Sequence, residues 1–236
     1  MKLSVIIPCC NEEKNIPLIL DGFKKVIGNR SDIEIIIVDN NSTDGTAIVL
    51  SELAPNYSFL RSMKVMEIGY GIAILFGLKE AKGEYIGWTH GDFQTPPADV
   101  IKALEIIEKI NNPQNIYIKG LRNGRPILDR FFTFGMGIFE SLYFGKLFYD
   151  INAQPNIFHK SFLESWSDPP HDFSLDLYAF YLAKKQNLKI IRFPVLFKKR
   201  IYGESHWNKN LYSKWKFIKR TVSFSRSLKE KLLINS

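Results

Sequence analysis

Short apolar runs alternate with helical stripes through the first 120 residues, and that alternation limits the possible folds more than any other feature. Residues 3–8, 33–38, 65–68, 85–88 and 116–119 are each too short for a helix and read as buried strands. Between them, Ile16, Ile19, Leu20, Phe23 and Ile27 fall on one helical face, and 72–82 and 100–110 repeat the helical spacing. A short helix is expected after the turn cluster at 39–45, with Asp44 as its N-cap, and Gly83 is expected to cap the helix over 72–82. Such alternation builds an α/β fold with a mostly parallel sheet flanked by helices.

Sheets of this kind bind ligands beyond the carboxyl ends of their strands. Three polar clusters fall there: residues 8–12, 39–44 and 90–94. In the third, an extended chain would place His90, Asp92 and Gln94 in one row, an imidazole, a carboxylate and an amide oxygen. That row suits part of a divalent cation's shell, with phosphates completing it, or else a strand-end turn whose polar groups face water. The usual nucleotide motifs are missing. Gly69-Tyr-Gly71 lacks the third glycine of a dinucleotide fingerprint, and no P-loop run occurs, so a dehydrogenase or P-loop ATPase is disfavoured.

The second half changes character. Arg122, Arg125 and Arg130 surround a turn-prone Asn123-Gly124 and Pro126, and 131–149 is aromatic and glycine-rich, interrupted by Glu140 and Lys146. That stretch reads as a helix packed at the domain's edge or as an apolar surface for lipid. A strand and turn follow at 150–158, then a helix from 171 to 185 with Asp172 as an N-cap, and a strand at 188–196. The loop 198–207 is rich in phosphate-seeking groups. Beyond it Leu211, Trp215, Ile218, Val222 and Leu233 form an apolar stripe mostly opposite Lys216, Lys219, Arg220 and Lys231. This helix fits an anionic membrane interface and fits equally well against the domain.

Charge follows the same division: residues 1–110 carry a net −4 and residues 111–236 a net +12. A basic half suggests an anionic partner. Its basic stretches match no nucleic-acid motif, so no nucleic-acid partner is expected. Cys9 and Cys10 are adjacent within an apolar run, which fits neither a zinc site nor a disulfide framework and points to a reducing compartment. The first residues have too short an apolar run for a signal peptide, and no uninterrupted apolar span of about 18 residues occurs.

Four motifs in order resemble a family 2 glycosyltransferase of the GT-A fold, most closely its polyprenyl-phosphate, dolichol-phosphate mannose synthase-like branch. They are Ser4-Val-Ile-Ile-Pro8 with Asn11-Glu12; Asp39-Asn-Asn-Ser-Thr-Asp-Gly-Thr46; His90-Gly-Asp-Phe-Gln94; and Arg200-Ile-Tyr-Gly-Glu-Ser205. The resemblance implies a UDP- or GDP-sugar donor, with Pro8, Glu12 and Asp39 contacting base and ribose. It implies that Asp92 holds Mg²⁺ or Mn²⁺ on the diphosphate, with Gln94 as a further metal contact, and that Arg122, Arg200 and Ser205 face the phosphates. Asp172 is the first candidate general base and Asp176 the second. His90 stands where the family's Asp-x-Asp motif has its first acid, which removes a charge or supplies an imidazole ligand instead. His206 stands where the loop often has lysine, and the C-terminal membrane helices of some relatives are absent.

The expectation is thus an inverting, metal-dependent transferase acting on a polyprenyl phosphate or a lipid-linked or cell-surface glycan. It would work in the cytoplasm at the inner membrane face, through peripheral contact. A catalytically silent nucleotide-sugar binder that recruits a partner is the alternative that His90 motivates. In domains, 1–207 is expected to form the transferase unit (1–120 donor half, 121–207 acceptor half) and 208–236 a basic amphipathic helix.

Overall fold

The computed structural model describes residues 1–111, 113–124, 127–198, 200–202 and 211–234. Seven strands form one sheet: β1 (Leu3–Cys9), β2 (Ile33–Asn40), β3 (Leu60–Val65), β4 (Tyr85–Trp88), β5 (Ile116–Asn123), β6 (Asn156–His159) and β7 (Lys189–Leu196). Their order is β3-β2-β1-β4-β6-β5-β7. β6 runs antiparallel to β4 and β5, and the other neighbours pair in parallel.

The interior strand β1 is buried almost throughout because helices cover both sheet faces. Leu3, Val5 and Ile7 join Ile33, Ile35 and Ile37 under α1 (Ile16–Ile27) and α4 (Pro97–Glu108). On the opposite face α3 (Tyr70–Glu80) lies so close that a Cβ on Gly77 would meet the Ile6 side chain at 2.7 Å. The stripe expected for α1 is the one buried: Ile16, Ile19, Leu20, Phe23 and Ile27.

Three local expectations shift. The third strand precedes 65–68: β3 pairs Leu60 with Ile35, and Met66 and Ile68 are exposed. β3 buries only its ends, Leu60 and Val65, and carries Arg61, Ser62 and Lys64 between them, so a search for continuous apolar runs passes over it. Gly83 caps nothing, since α3 ends at Glu80 and Ala81. Its N–H donates to Ser4 Oγ at 2.7 Å, and a Cβ there would meet Ser4 N at 2.6 Å, so the position serves a close backbone approach. Asp44 sits one residue before the N-cap Gly45 of α2 (Thr46–Leu53), yet still accepts the Thr46 N–H at 3.0 Å.

The chain divides into two compact units, Met1–Gly124 with Asn152–Tyr202, and Arg125–Ile151 with Gly203–Ser236. Segment 125–151, expected inside the transferase unit, groups instead with the C-terminal segment. The second unit contains α5 (Ile127–Phe144) and α8 (Leu211–Ile234). Trp215, expected on the apolar stripe of α8, is exposed, and the buried face runs through Ser225 and Leu228. Lys229 Nζ donates to the Tyr143 carbonyl at 2.8 Å and lies over its ring.

Glu140 on α5 is fully buried against Ser225 Oγ at 2.8 Å, and the same hydroxyl lies 2.9 Å from the Thr221 carbonyl. One hydroxyl proton satisfies only one of these acceptors; a protonated Glu140 donating to Ser225, which donates to Thr221, satisfies both. Burial pushes Glu140 up to about 7, against the Ser225 hydrogen bond. The folded protein therefore holds a proton that the unfolded chain releases, so stability is lost as pH rises from about 4.5 to about 7. Glu140→Gln should remove that loss, stabilising the protein by up to roughly 3 kcal/mol above pH 7 and little at pH 4.5. Urea unfolding of both proteins at the two pH values checks it, and equal differences at both would refute it.

Candidate active site

In the first unit, the loops at the carboxyl ends of β1, β2 and β4 are tied together before any ligand is considered. Asn11, in the left-handed region (φ 59°), uses its Oδ1 to accept the Thr43 N–H at 2.8 Å and the Asp44 N–H at 3.3 Å. Glu12 N–H donates to Thr46 Oγ1, and Glu13 Oε2 accepts the Gly45 N–H, both at 2.9 Å. A Cβ on Gly91 would lie 2.6 Å from the Pro8 carbonyl, so the β4 loop approaches the end of β1 as closely as glycine permits. Pro8, Glu12, Asp39 and Asp92 thus belong to one sheet edge.

Asp39 is buried, with Oδ1 accepting the Ser42 N–H at 3.0 Å while Oδ2 has no partner among the described residues. A buried carboxylate oxygen left without a donor is one that a ligand N–H or hydroxyl can satisfy. Burial pushes Glu12 up to about 7; Asn15 and Arg200 oppose the shift, and Asp92 and Asp44 add to it.

The row at 90–94 does not stay extended. Phe93 adopts φ 58°, and Asp92 Oδ1 turns back to accept the Gln94 N–H at 3.1 Å. Gln94 Nε2 donates to the Lys198 carbonyl at 2.9 Å, while Lys198 N–H donates to the Gln94 carbonyl at 3.0 Å. This reciprocal pair fastens the segment after β7 to the segment after β4. It sets Arg200 Nη2 2.8 Å from Asp92 Oδ2 and Nη1 3.8 Å from Glu12 Oε1. Phe197 takes the His90 ring edge-on at 6.0 Å and the Arg122 guanidinium over its face at 5.3 Å. Arg122 and Arg200 therefore converge with Asp92, Glu12 and His90. Ser205 and His206 lie outside the described residues.

Burial pushes the His90 imidazole down, with Asp92 and Asp176 opposing and Arg122 and Arg200 reinforcing, which favours its neutral form. Its Nε2 is buried with no partner among the described residues. Those residues contain no cluster of three or more His, Cys, Asp or Glu able to hold a metal alone. Asp92 with a neutral His90 fits a cation completed by diphosphate oxygens, not a cage built by protein.

The two candidate bases have different surroundings. Asp176 is buried, and its Oδ1 accepts from Trp88 Nε1 at 3.0 Å, Gln154 Nε2 at 3.0 Å and Asn156 Nδ2 at 3.1 Å. Tyr70 Oη donates to its Oδ2 at 3.4 Å. Burial pushes its carboxyl up, and Lys119 and then His90 act against that. Four donors thus enclose this carboxyl group. Asp172 instead lies half-buried in the loop before α7 (Leu175–Lys185), where Oδ1 accepts the Ser174 N–H at 2.8 Å. Ser174, not Asp172, occupies the N-cap position.

The buried network around Asp176 was not anticipated from sequence. Lys119 Nζ donates to the Asn156 Oδ1 at 2.6 Å and to the Ala153 carbonyl at 2.9 Å. One signal was available: a lysine closing the apolar run Ile116-Tyr-Ile-Lys119 requires a partner if that strand is central. Its partners, Ala153 and the first residue of β6, Asn156, are distant in the chain.

The mostly parallel sheet flanked by helices, with acids and arginines gathered at its carboxyl edge, has the architecture of a GT-A-like fold. The chain belongs to the glycosyl transferase family 2, whose model matches residues 4–162. It is 33% identical over 125 residues to a dolichol-phosphate mannosyltransferase of Pyrococcus furiosus, covering 51% of this chain and 34% of that protein. It is 29% identical over 111 residues to an undecaprenyl-phosphate 4-deoxy-4-formamido-L-arabinose transferase of Photorhabdus laumondii, covering 46% and 34%. The chain thus matches about a third of the length of these curated relatives. The fold is similar to glucosyl-3-phosphoglycerate synthase from Mycobacterium tuberculosis in complex with UDP. That similarity has a TM-score of 0.72 at 17% identity, covering 96% of this chain and 79% of the other.

Proposed function

We propose that this chain transfers a sugar, with inversion, from a UDP- or GDP-sugar to a polyprenyl phosphate, at a membrane face it contacts peripherally. The observation that carries the reading is Arg200 held across Asp92 and Glu12, where the segment after β7 reaches the ends of the paired strands β1 and β4. Breaking the sugar–phosphate bond places negative charge on the departing nucleoside diphosphate, which Arg200 and Arg122 are positioned to neutralise. Mg²⁺ or Mn²⁺, held by Asp92 and His90, would supply further charge neutralisation there. Asp39 and Glu12 present acceptors to the base and ribose. Asp172 serves as base toward the acceptor; a phosphate monoester is fully ionised only above about pH 6, so the base matters most below that.

The polyprenyl branch is supported by the names of the curated relatives. Membrane contact is supported within the second unit, where Phe131, Phe134, Ile138 and Leu142 form an exposed apolar stripe along α5. Its neighbour α8 exposes Trp215, Lys216, Lys219 and Arg226. No helix among the described residues is long and apolar enough to cross a membrane.

The test is transfer from labelled UDP-glucose and GDP-mannose, among a donor panel, to undecaprenyl phosphate in vesicles with and without anionic lipid. Metal-dependent formation of lipid-linked sugar is expected. Nucleotide-sugar binding with no transfer, restored to transfer by His90→Asp, would favour the silent-binder reading instead.

A further inference from the structure

Asp172 sits in a loop that packs on the start of α3. Tyr70, the first residue of α3, stacks on Phe173 with ring centroids 4.3 Å apart and planes 13° from parallel. The Tyr70 hydroxyl is anchored at its other end: it accepts from Gln154 Nε2 at 3.0 Å and donates to Asp176 Oδ2 at 3.4 Å. The start of α3 also grips the loop backbone, with the Ile72 N–H donating to the His171 carbonyl at 3.2 Å. A Cβ on Gly69 would lie 2.6 Å from the His171 carbonyl, and one on Gly71 2.9 Å from the Asp172 nitrogen. Nothing larger than glycine fits beneath the loop at either position.

We propose that Tyr70 and Phe173 are positioning residues for Asp172, transmitting the rigidity of the buried Asp176–Gln154–Asn156 network to the loop that holds it. The inference rests on Asp172 acting as base in the reaction proposed above. Each link is a contact of known chemistry. Asp176 is fixed by three donors on Oδ1, its Oδ2 and Gln154 fix the Tyr70 hydroxyl, and the flat Tyr70 ring fixes Phe173, the residue that follows Asp172. A stacked aromatic pair stabilises a contact beyond its buried area. A displacement of about 1 Å at a reacting group can cost on the order of a hundredfold in rate. A modest contact can therefore have a large kinetic effect. It also separates the two acids: Asp176 holds and Asp172 reacts.

A double-mutant cycle on Phe173 and Asp172 tests this, and Phe173 is suited to it because it is 37% exposed and its truncation spares the core. Phe173→Leu should lower kcat for transfer to undecaprenyl phosphate by roughly tenfold, most strongly below pH 6, and leave the affinity for UDP or GDP within about twofold. Asp172→Asn should lower kcat by a similar or larger factor, and the double variant should be no slower than Asp172→Asn alone. Tyr70→Phe keeps the stacked ring but cuts its hydroxyl from Asp176 and Gln154, so its kcat should fall between those of the wild type and Tyr70→Leu. Hydrogen exchange at the Ser174 amide, which donates to Asp172, should speed up in Phe173→Leu. Multiplying losses in the double variant, or a normal kcat in Phe173→Leu beside a slow Asp172→Asn, overturns the positioning role alone. A normal kcat in Asp172→Asn overturns the base as well.

Discussion

Asp92→Ala should lower kcat/KM for sugar transfer by roughly a hundredfold to a thousandfold, the largest loss expected of any single site residue. Asp92 is nearly inaccessible, and its two oxygens do different work: Oδ1 closes the turn at Gln94 and Oδ2 receives Arg200. Alanine removes the turn's acceptor, the arginine's partner and the carboxylate proposed to hold the cation. Asp92→Asn separates these effects, because it keeps the shape and an acceptor while losing the charge. A loss in Asp92→Asn close to that in Asp92→Ala assigns the effect to charge, and hence to the cation and diphosphate. Calorimetry of UDP or GDP binding with and without Mn²⁺ provides the second readout. In both variants the increase in affinity that Mn²⁺ brings should disappear. Wild-type rates with no divalent cation, unchanged by Asp92→Ala, would remove the metal from the mechanism.

Arg200→Ala is expected to cost about a hundredfold in kcat/KM, and Arg200→Lys to recover only part of it. The guanidinium meets Asp92 and Glu12 with different nitrogens, an arrangement that a single ammonium cannot reproduce. Its loss leaves two carboxylates at one sheet edge without the cation between them. Glu12, already pushed up to about 7 by burial while Arg200 works to lower it, should then rise further. The proton should accordingly come off Glu12 at a higher pH in Arg200→Ala than in the wild type, which NMR titration of the side chain measures. Nucleotide affinity and kcat both unchanged in Arg200→Ala would show that the arginine only braces the loop.

The parts of this molecule legible in the sequence are those built by local pattern. The buried face of α1 follows from residue spacing alone, and the strand-end motifs at Pro8, Asp39 and Asp92 fall on one edge because parallel strands point the same way. Patterns failed where a neighbour determined the outcome. β3 is polar on one side because it lies at the end of the sheet order, and pairing with β2, not hydrophobicity, makes it a strand. Gly83 resembled a helix cap but makes room for Ser4, a residue nearly eighty positions away. The row from His90 to Gln94 looked extended until Phe93 turned it.

By itself, the sequence determined the layered α/β architecture, the family motifs and their order, because hydrophobic period and strand-end chemistry are local properties of the chain. The tertiary structure alone decided how the candidates divide their roles. Asp176 and Asp172 are four residues apart and chemically identical, yet one is enclosed by Trp88, Gln154, Asn156 and Tyr70 while the other lies half-buried in a loop. Arg200 reaches Asp92 only because Gln94 and Lys198 exchange hydrogen bonds across the sheet edge. A carboxylate's role depends on the donors that surround it, and the fold brings those donors from strands and helices distant in sequence.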